Sequence, residues 1–222
     1  MPAELTLAIE VSNPSSGGAG IAVGSRSVLG VEPVRPGDGR QDDLAAAIDR
    51  LAKRVGFGPQ DLKRVAVSVG PGGYTSLRIA VATAKMICEA TGAQCVAIPT
   101  VNVAAARVSA ARPFAVALAS KDDSAYAAAF ASPGERTGPG RLINAAAIAG
   151  LGVKTLVADQ FLPHSIAEAV RTAGIALAPL ILDPAACLEL SFGAPATDPV
   201  SFLPIYPREP EAVTKWRTRK GG

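Results

Sequence analysis

The chain has 222 residues, 49% hydrophobic, 18% charged and 5% aromatic, which is apolar enough for a sizeable core and too unbiased for a disordered or fibrous chain. At about 100 to 200 residues per domain, this length suits one large unit or two smaller ones, and two are expected. The net charge of +3 is too mild for a protein that grips nucleic acid over a broad surface by itself.

Short apolar runs at Leu5 to Val11, Gly20 to Val23 and Val28 to Val34 predict three consecutive strands, the first pair a hairpin. After the breaker Pro36-Gly37-Asp38-Gly39, the spacing of Leu44, Ile48, Leu51 and Val55 predicts an amphipathic helix closed by Gly56. Asp42-Asp43 reads as charge at that helix's N-terminus. Val65 to Val69 is a strand, Leu77, Ala80, Val81, Ala84, Ile87 and Cys88 mark a second helix ended by Gly92, and Cys95 to Ile98 is a fifth strand. Pro99-Thr100 reads as a hinge. Beyond it come an Ala-rich helix over residues 101–111 and strands Phe114 to Ala119 and Ala125 to Phe130 around Lys121-Asp122-Asp123-Ser124. A Gly- and Pro-rich loop from Ser132 to Gly140 leads to a helix near Ala145, a strand at Thr155 to Ala158 and a helix from Ile166 to Ala173. Mixed α/β structure is expected in both halves, divided into residues 1–99 and 100–222. The halves share no visible sequence repeat, which leaves open a shared topology.

No stretch reaches the ~18 uninterrupted apolar residues of a membrane span, and Met1-Pro2-Ala3-Glu4 has no basic segment ahead of an apolar one, so a cytoplasmic protein is expected. Cys88, Cys95 and Cys187 are odd in number and lack C-x-x-C spacing, which reads as buried thiols rather than disulfides or a zinc site. Lys215, Arg217, Arg219 and Lys220 beside Trp216 form a basic tail, expected to be a solvated end.

The most informative segment is the strand, Gly-Pro-Gly-Gly turn and helix of Val65 to Lys85. Gly70, Gly72 and Gly73 with Thr75 form a candidate phosphate cradle, because glycines let backbone N–H groups approach an anion and the following helix adds its positive end. The glycines are too close together for a P-loop or a dinucleotide fingerprint, and a tight turn capped by Thr75 is the plainer reading. His164 is the lone histidine, so neither a nucleophile with its base nor a metal centre is well supplied. Glu10 ends the first strand, where many phosphate-transfer folds place an acid.

Ala8-Ile9-Glu10-Val11-Ser12, Val69-Gly70-Pro71-Gly72-Gly73-Tyr74-Thr75-Ser76-Leu77-Arg78-Ile79-Ala80 with Ala82-Thr83-Ala84-Lys85, and Pro204-Ile205-Tyr206-Pro207-Arg208 resemble the TsaB (YeaZ) family. The family's strand-end D-T-S falls on Glu10-Val11-Ser12, its His before the first helix near Arg40, and its D-A-R on Ala119-Ser120-Lys121 ahead of Tyr126. The resemblance implies an α/β fold of the actin and sugar-kinase type (ASKHA), two similar lobes meeting at a cleft. It also implies a non-catalytic subunit that pairs with TsaD to make threonylcarbamoyladenosine (t6A) in tRNA, with TsaE joining the larger complex and TsaC supplying threonylcarbamoyl-AMP. On that reading the chain needs no cofactor and no metal, has no catalytic residue, and meets tRNA indirectly.

Such pairing, lobe against lobe, would use the first two helices, and the same surface would serve a homodimer. Leu44, Ile48, Leu51, Leu77, Ala80, Val81 and Ala84 are the expected contact residues, the alanines giving a smooth strip for a second backbone. The competing possibility is that both strips face the chain's own sheet. Two other functions compete with the scaffold: an autonomous phosphotransferase or peptidase, and an RNA-binding module working through the basic tail.

Overall fold

A computed structural model describes residues 4–13, 18–35, 43–208 and 216. The breaker at Pro36 to Gly39, Arg40, Asp42 and the basic residues Lys215, Arg217, Arg219 and Lys220 lie outside the described residues. Trp216 is exposed.

The first half builds β1 (Leu5–Glu10), β2 (Gly20–Gly24), β3 (Val28–Pro33), α1 (Leu44–Val55), β4 (Leu62–Ser68), α2 (Tyr74–Thr91) and β5 (Gln94–Ile98). After α3 (Thr100–Ala106), the second half builds β6 (Phe114–Ser120), β7 (Ser124–Ser132), β8 (Glu135–Arg136), β9 (Arg141–Ile143), β10 (Thr155–Ala158), α4 (His164–Thr172), β11 (Ala176–Pro179) and α5 (Pro184–Gly193). The first sheet runs β3-β2-β1-β4-β5, with β1 antiparallel to β2 and parallel to β4. The second runs β8-β7-β6-β10-β11, with β6 antiparallel to β7 and parallel to β10. The second sheet thus repeats the order and strand directions of the first, a duplication of topology without one of sequence. This is the two-lobed actin and sugar-kinase-like α/β fold that the motifs imply.

Strand alternation decides which helices cover which face. Leu7, Ile9, Ile21, Val23, Val65 and Val67 point to one side of the first sheet and bury against α1 and α2. Ala8 pairs with Ala22 on one flank and Ala66 on the other, so the opposite face is shallow. Ala186, Cys187 and Leu188 of α5 and Val103 of α3 settle onto it. The other side of α3, with Val101, Ala104 and Ala105, packs on Phe114, Val116 and Phe130 of the second sheet. Helices α3 and α5 are therefore the layer between the sheets, and α4 covers the far side of the second sheet through Ile166 and Val170.

The expected division between residues 99 and 100 falls between β5 and α3. The chain nonetheless returns to the first lobe after β11: Phe202 joins the first sheet's core, and the Ile205 N–H donates to the Val69 carbonyl at 2.7 Å.

Gly56 and Gly92 close α1 and α2 in the left-handed region, with φ of 80° and 73°, a conformation that costs a residue with a Cβ. Asp122 and Asp123 take left-handed φ in the tight β6–β7 turn, which aspartate tolerates better than most residues. Arg50 reaches from α1 to Glu32 of β3 at 2.8 Å and to Asp43 at 2.7 Å, with Arg54 also on Glu32, so the helix is tied to the edge strand by charge. Cys88, Cys95 and Cys187 are buried free thiols, as expected; burial, with Cys95 alongside, pushes the Cys88 thiol up to about 12.

Two expectations need correction. The Ala-rich helix stops at Ala106, where the next residue, Arg107, turns to pair with Asp183 and Glu189 of the α5 region. The helix near Ala145 is a 3-10 stretch, Ala145–Leu151, ended by Gly152. Helix α5 and strand β11 carry no clear periodic signal: α5 buries Ala186, Cys187 and Leu188 on the first sheet and is apolar apart from Glu189 and Ser191, and β11 is a short edge strand.

Candidate functional site

The carboxyl ends of β1 and β4 meet where the lobes join. Glu10, the last residue of β1, is fully buried. Its Oε1 accepts the Ser12 N–H at 2.8 Å and the Ser12 hydroxyl at 2.5 Å, while Oε2 has no hydrogen-bond partner among the described residues. Burial raises the Glu10 carboxyl above the usual glutamate range, outweighing the Ser12 and Ser68 hydroxyls that favour the anion. Beyond Ser12, Asn13 Nδ2 donates to Asp159 Oδ2 at 2.6 Å and ties the end of β1 to the end of β10.

The Gly-Pro-Gly-Gly turn closes over this junction. The Gly70 N–H donates to Thr100 Oγ1 at 3.0 Å, and that hydroxyl also contacts Ser68 Oγ at 2.8 Å. The Gly73 N–H donates to the Ser12 carbonyl at 2.7 Å. Gly72 lies so close to the same carbonyl that a Cβ there would be 2.3 Å from its oxygen. Gly70 has φ of +108°, and a Cβ there would be 2.8 Å from Leu77 Cδ1. The turn is thus built on close backbone approach, as its composition suggested, but the approach is to the chain's own β1 loop. The N–H groups of Gly70 and Gly73 are thereby engaged within the fold. Thr75 does not cap α2 either: Gly73 holds the N-cap position without a side-chain bond, and Thr75 is exposed in the first turn.

The expected contact residues are core residues. Leu44, Leu51, Leu77, Ala80, Val81 and Ala84 are between 0% and 5% exposed and face the first sheet, and Ile48 is half-buried against the same cluster. Their spacing marked helix faces that need covering, and this chain's own strands cover them. The other side of α2 is uncovered: Tyr74, Arg78, Ala82, Met86 and Glu89 are all exposed. Met86 is 72% exposed, and beside it Lys85, Glu89, Ala90 and Pro199 rim a groove of about 560 Å³ floored by Cys88 and Cys95. The stretch over residues 197–208 carries more exposed apolar area, in Val200 and Leu203. Tyr206 packs on Tyr74 with ring centroids 5.3 Å apart, and the Arg78 guanidinium lies over the Tyr74 ring. Arg208 then crosses to the second lobe, bonding Asp122, the Lys121 carbonyl and Ser124 Oγ. The Pro204 to Arg208 motif is therefore a strap across the lobes. Its Arg208 meets the carbonyl of Lys121, the last residue of the Ala119-Ser120-Lys121 stretch.

Among the described residues, no group of three His, Cys, Asp or Glu side chains is placed to hold a metal ion. His164 is exposed at the start of α4. The residues present do not fit a centre built on paired histidines. No helix of the described residues is long and apolar enough to cross a membrane.

A family model described as TsaD, tRNA N6-adenosine threonylcarbamoyltransferase, matches residues 25–178, more than half of the chain. The chain belongs to the TsaD family. A solved structure from Pseudomonas aeruginosa, described as an uncharacterized protein with similarity to peptidase YEAZ, matches with a TM-score of 0.71 at 19% identity, over 92% of this chain and 100% of that one. YeaZ from Pseudomonas aeruginosa matches with a TM-score of 0.72 at 18% identity, over 91% of this chain and 99% of that one. At these identities the likeness is one of fold, and it runs through both lobes. No curated protein matches the sequence.

Proposed function

We propose that this TsaD-family chain is a non-catalytic, activating subunit in threonylcarbamoyladenosine formation, equivalent to TsaB, and that it pairs with a catalytic TsaD. The observation that carries the reading is the lobe junction. Ser12, Gly70, Gly72, Gly73 and Thr100 seal it against one another, and Glu10 beneath them is buried beyond reach of a substrate. A chain that fills its own cleft keeps the two-lobed fold as a rigid scaffold. Pairing uses the outer face of α2, where Met86, Ala82 and Tyr74 give apolar area flanked by Arg78, Lys85 and Glu89. TsaE joins the larger complex, tRNA is engaged by the assembly, and the chain works in the cytoplasm without a cofactor of its own.

The experiment is to mix the purified chain with TsaD from the same organism and measure mass by light scattering after size exclusion. A heterodimer is expected with the wild type, and separate species with Met86→Asp, since one charge in the apolar centre of an interface costs on the order of several kcal/mol. A homodimer that persists with TsaD present, or equal binding by Met86→Asp, contradicts the assignment of this face.

A further inference from the structure

The end of the first sheet farthest from the lobe junction holds a groove of about 720 Å³ that the proposed pairing does not use. It is lined by the starts of β1, β4 and β5 and by the β2–β3 turn, with Arg26, Lys63, Arg64, Thr6, Ser25 and Gln94 in its walls. Each element contributes a polar or charged side chain because this is where strands leave the core. Phe192 is the one large apolar side chain there, so the groove is not shaped for a flat hydrophobic ligand.

Its charge is unbalanced. Arg50, Arg54, Arg107, Arg171 and Arg208 all have carboxylate partners, whereas Arg26, Lys63 and Arg64 form no ion pair among the described residues. Arg64 is held in place by the carbonyls of Ser191, at 2.6 Å, and Ala194, which orient its guanidinium without neutralising it. Its buried Nε has no hydrogen-bond partner among the described residues. Lys63 donates only to the Gln60 carbonyl, at 3.1 Å, and Arg26 is exposed. Glu4 is the one acid in the lining, so three cations against one carboxylate leave a surplus of two positive charges. A fixed guanidinium with further cations nearby matches a multiply charged tetrahedral anion better than a lone carboxylate.

We infer that this groove binds phosphate groups, carried either on an RNA backbone or by a free phosphorylated small molecule. The inference stands on the groove alone and is independent of pairing with TsaD.

The test titrates the full chain at low ionic strength with inorganic pyrophosphate and, separately, with an unmodified tRNA transcript. It compares the wild type with the double variant Arg26→Glu/Lys63→Glu and with a control, Arg141→Glu/Lys154→Glu, which makes the same charge change on exposed residues of the second lobe. Thermal unfolding checks that both doubles fold. Pyrophosphate binding should weaken at least about tenfold in the groove variant, stay within about twofold in the control, and tighten in Glu4→Gln. Transcript binding that follows the same pattern and is displaced by pyrophosphate identifies a backbone ligand; pyrophosphate binding without transcript binding identifies a small one. If neither probe binds the wild type, or both doubles weaken binding alike, the inference is wrong.

Discussion

The carbonyl of Ser12 is the seat of the Gly-Pro-Gly-Gly turn: it accepts the Gly73 N–H at 2.7 Å, and Gly72 sits so close that no Cβ fits between them. The turn's glycines are therefore required by contact within the fold. Gly72→Ala should lower stability by about 1 to 3 kcal/mol, the usual cost of forcing an extra carbon into a packed site. Thermal unfolding measures this. An unchanged melting temperature means that the loop yields freely and that the glycines serve a ligand instead.

Glu10 predicts a pH dependence of definite sign. Burial holds its carboxyl above the ordinary 4.5, so above about that pH the unfolded chain loses a proton that the folded chain keeps. Stability should then fall as pH rises, until Glu10 ionises in the fold as well. Glu10→Gln keeps an oxygen for the two Ser12 donors and removes the titration. Urea midpoints should show the variant gaining on the wild type as pH rises above about 4.5. Glu32 and Asp43, held low mainly by hydrogen bonds from Arg50, act in the opposite sense, and only below their ordinary 4.5 and 3.8. A constant gap between variant and wild type across this range would mean that Glu10 is ionised in the fold.

Core and surface on the first two helices separate by substitution. Leu51 is fully buried on α1, and Leu51→Ala should cost about 2 to 5 kcal/mol through lost burial and the cavity left behind. Met86→Asp, at an exposed site, should leave the melting temperature of the free chain nearly unchanged. If Met86→Asp unfolds the free chain, α2 is covered on both faces and offers no surface to a partner.

The first lobe was legible because its strands and helices alternate in clear periods and end on Gly56 and Gly92. Helix α5 was not, because its run from Pro184 to Gly193 is apolar apart from Glu189 and Ser191 and sets no clear period. The signals that could have found it are local: Asp183 followed by Pro184 is a cap and first-turn pair, and Asp183 does accept the Ala185 N–H at 2.9 Å. The contact residues were misplaced for a related reason. An apolar stripe such as Leu77, Ala80, Val81 and Ala84 tells that something covers it, not whether that is the chain's own sheet or another protein. The sequence signal for an uncovered apolar surface lies off the stripe, in Met86, a large apolar side chain among Ala82, Lys85 and Glu89 where the helical period calls for polar residues. The seal between Ser12 and Gly72 joins residues far apart in sequence, and composition alone could not separate it from a phosphate cradle.

On the proposed function, this chain activates a catalytic TsaD and does no chemistry alone. The direct measurement is threonylcarbamoyladenosine formation on a tRNA transcript supplied with threonylcarbamoyl-AMP and TsaE, with TsaD and this chain added singly and together. Product is expected only when both are present, and is lost with Met86→Asp in step with loss of the complex. Steady turnover by this chain without TsaD, or full activity of TsaD without this chain, would contradict it.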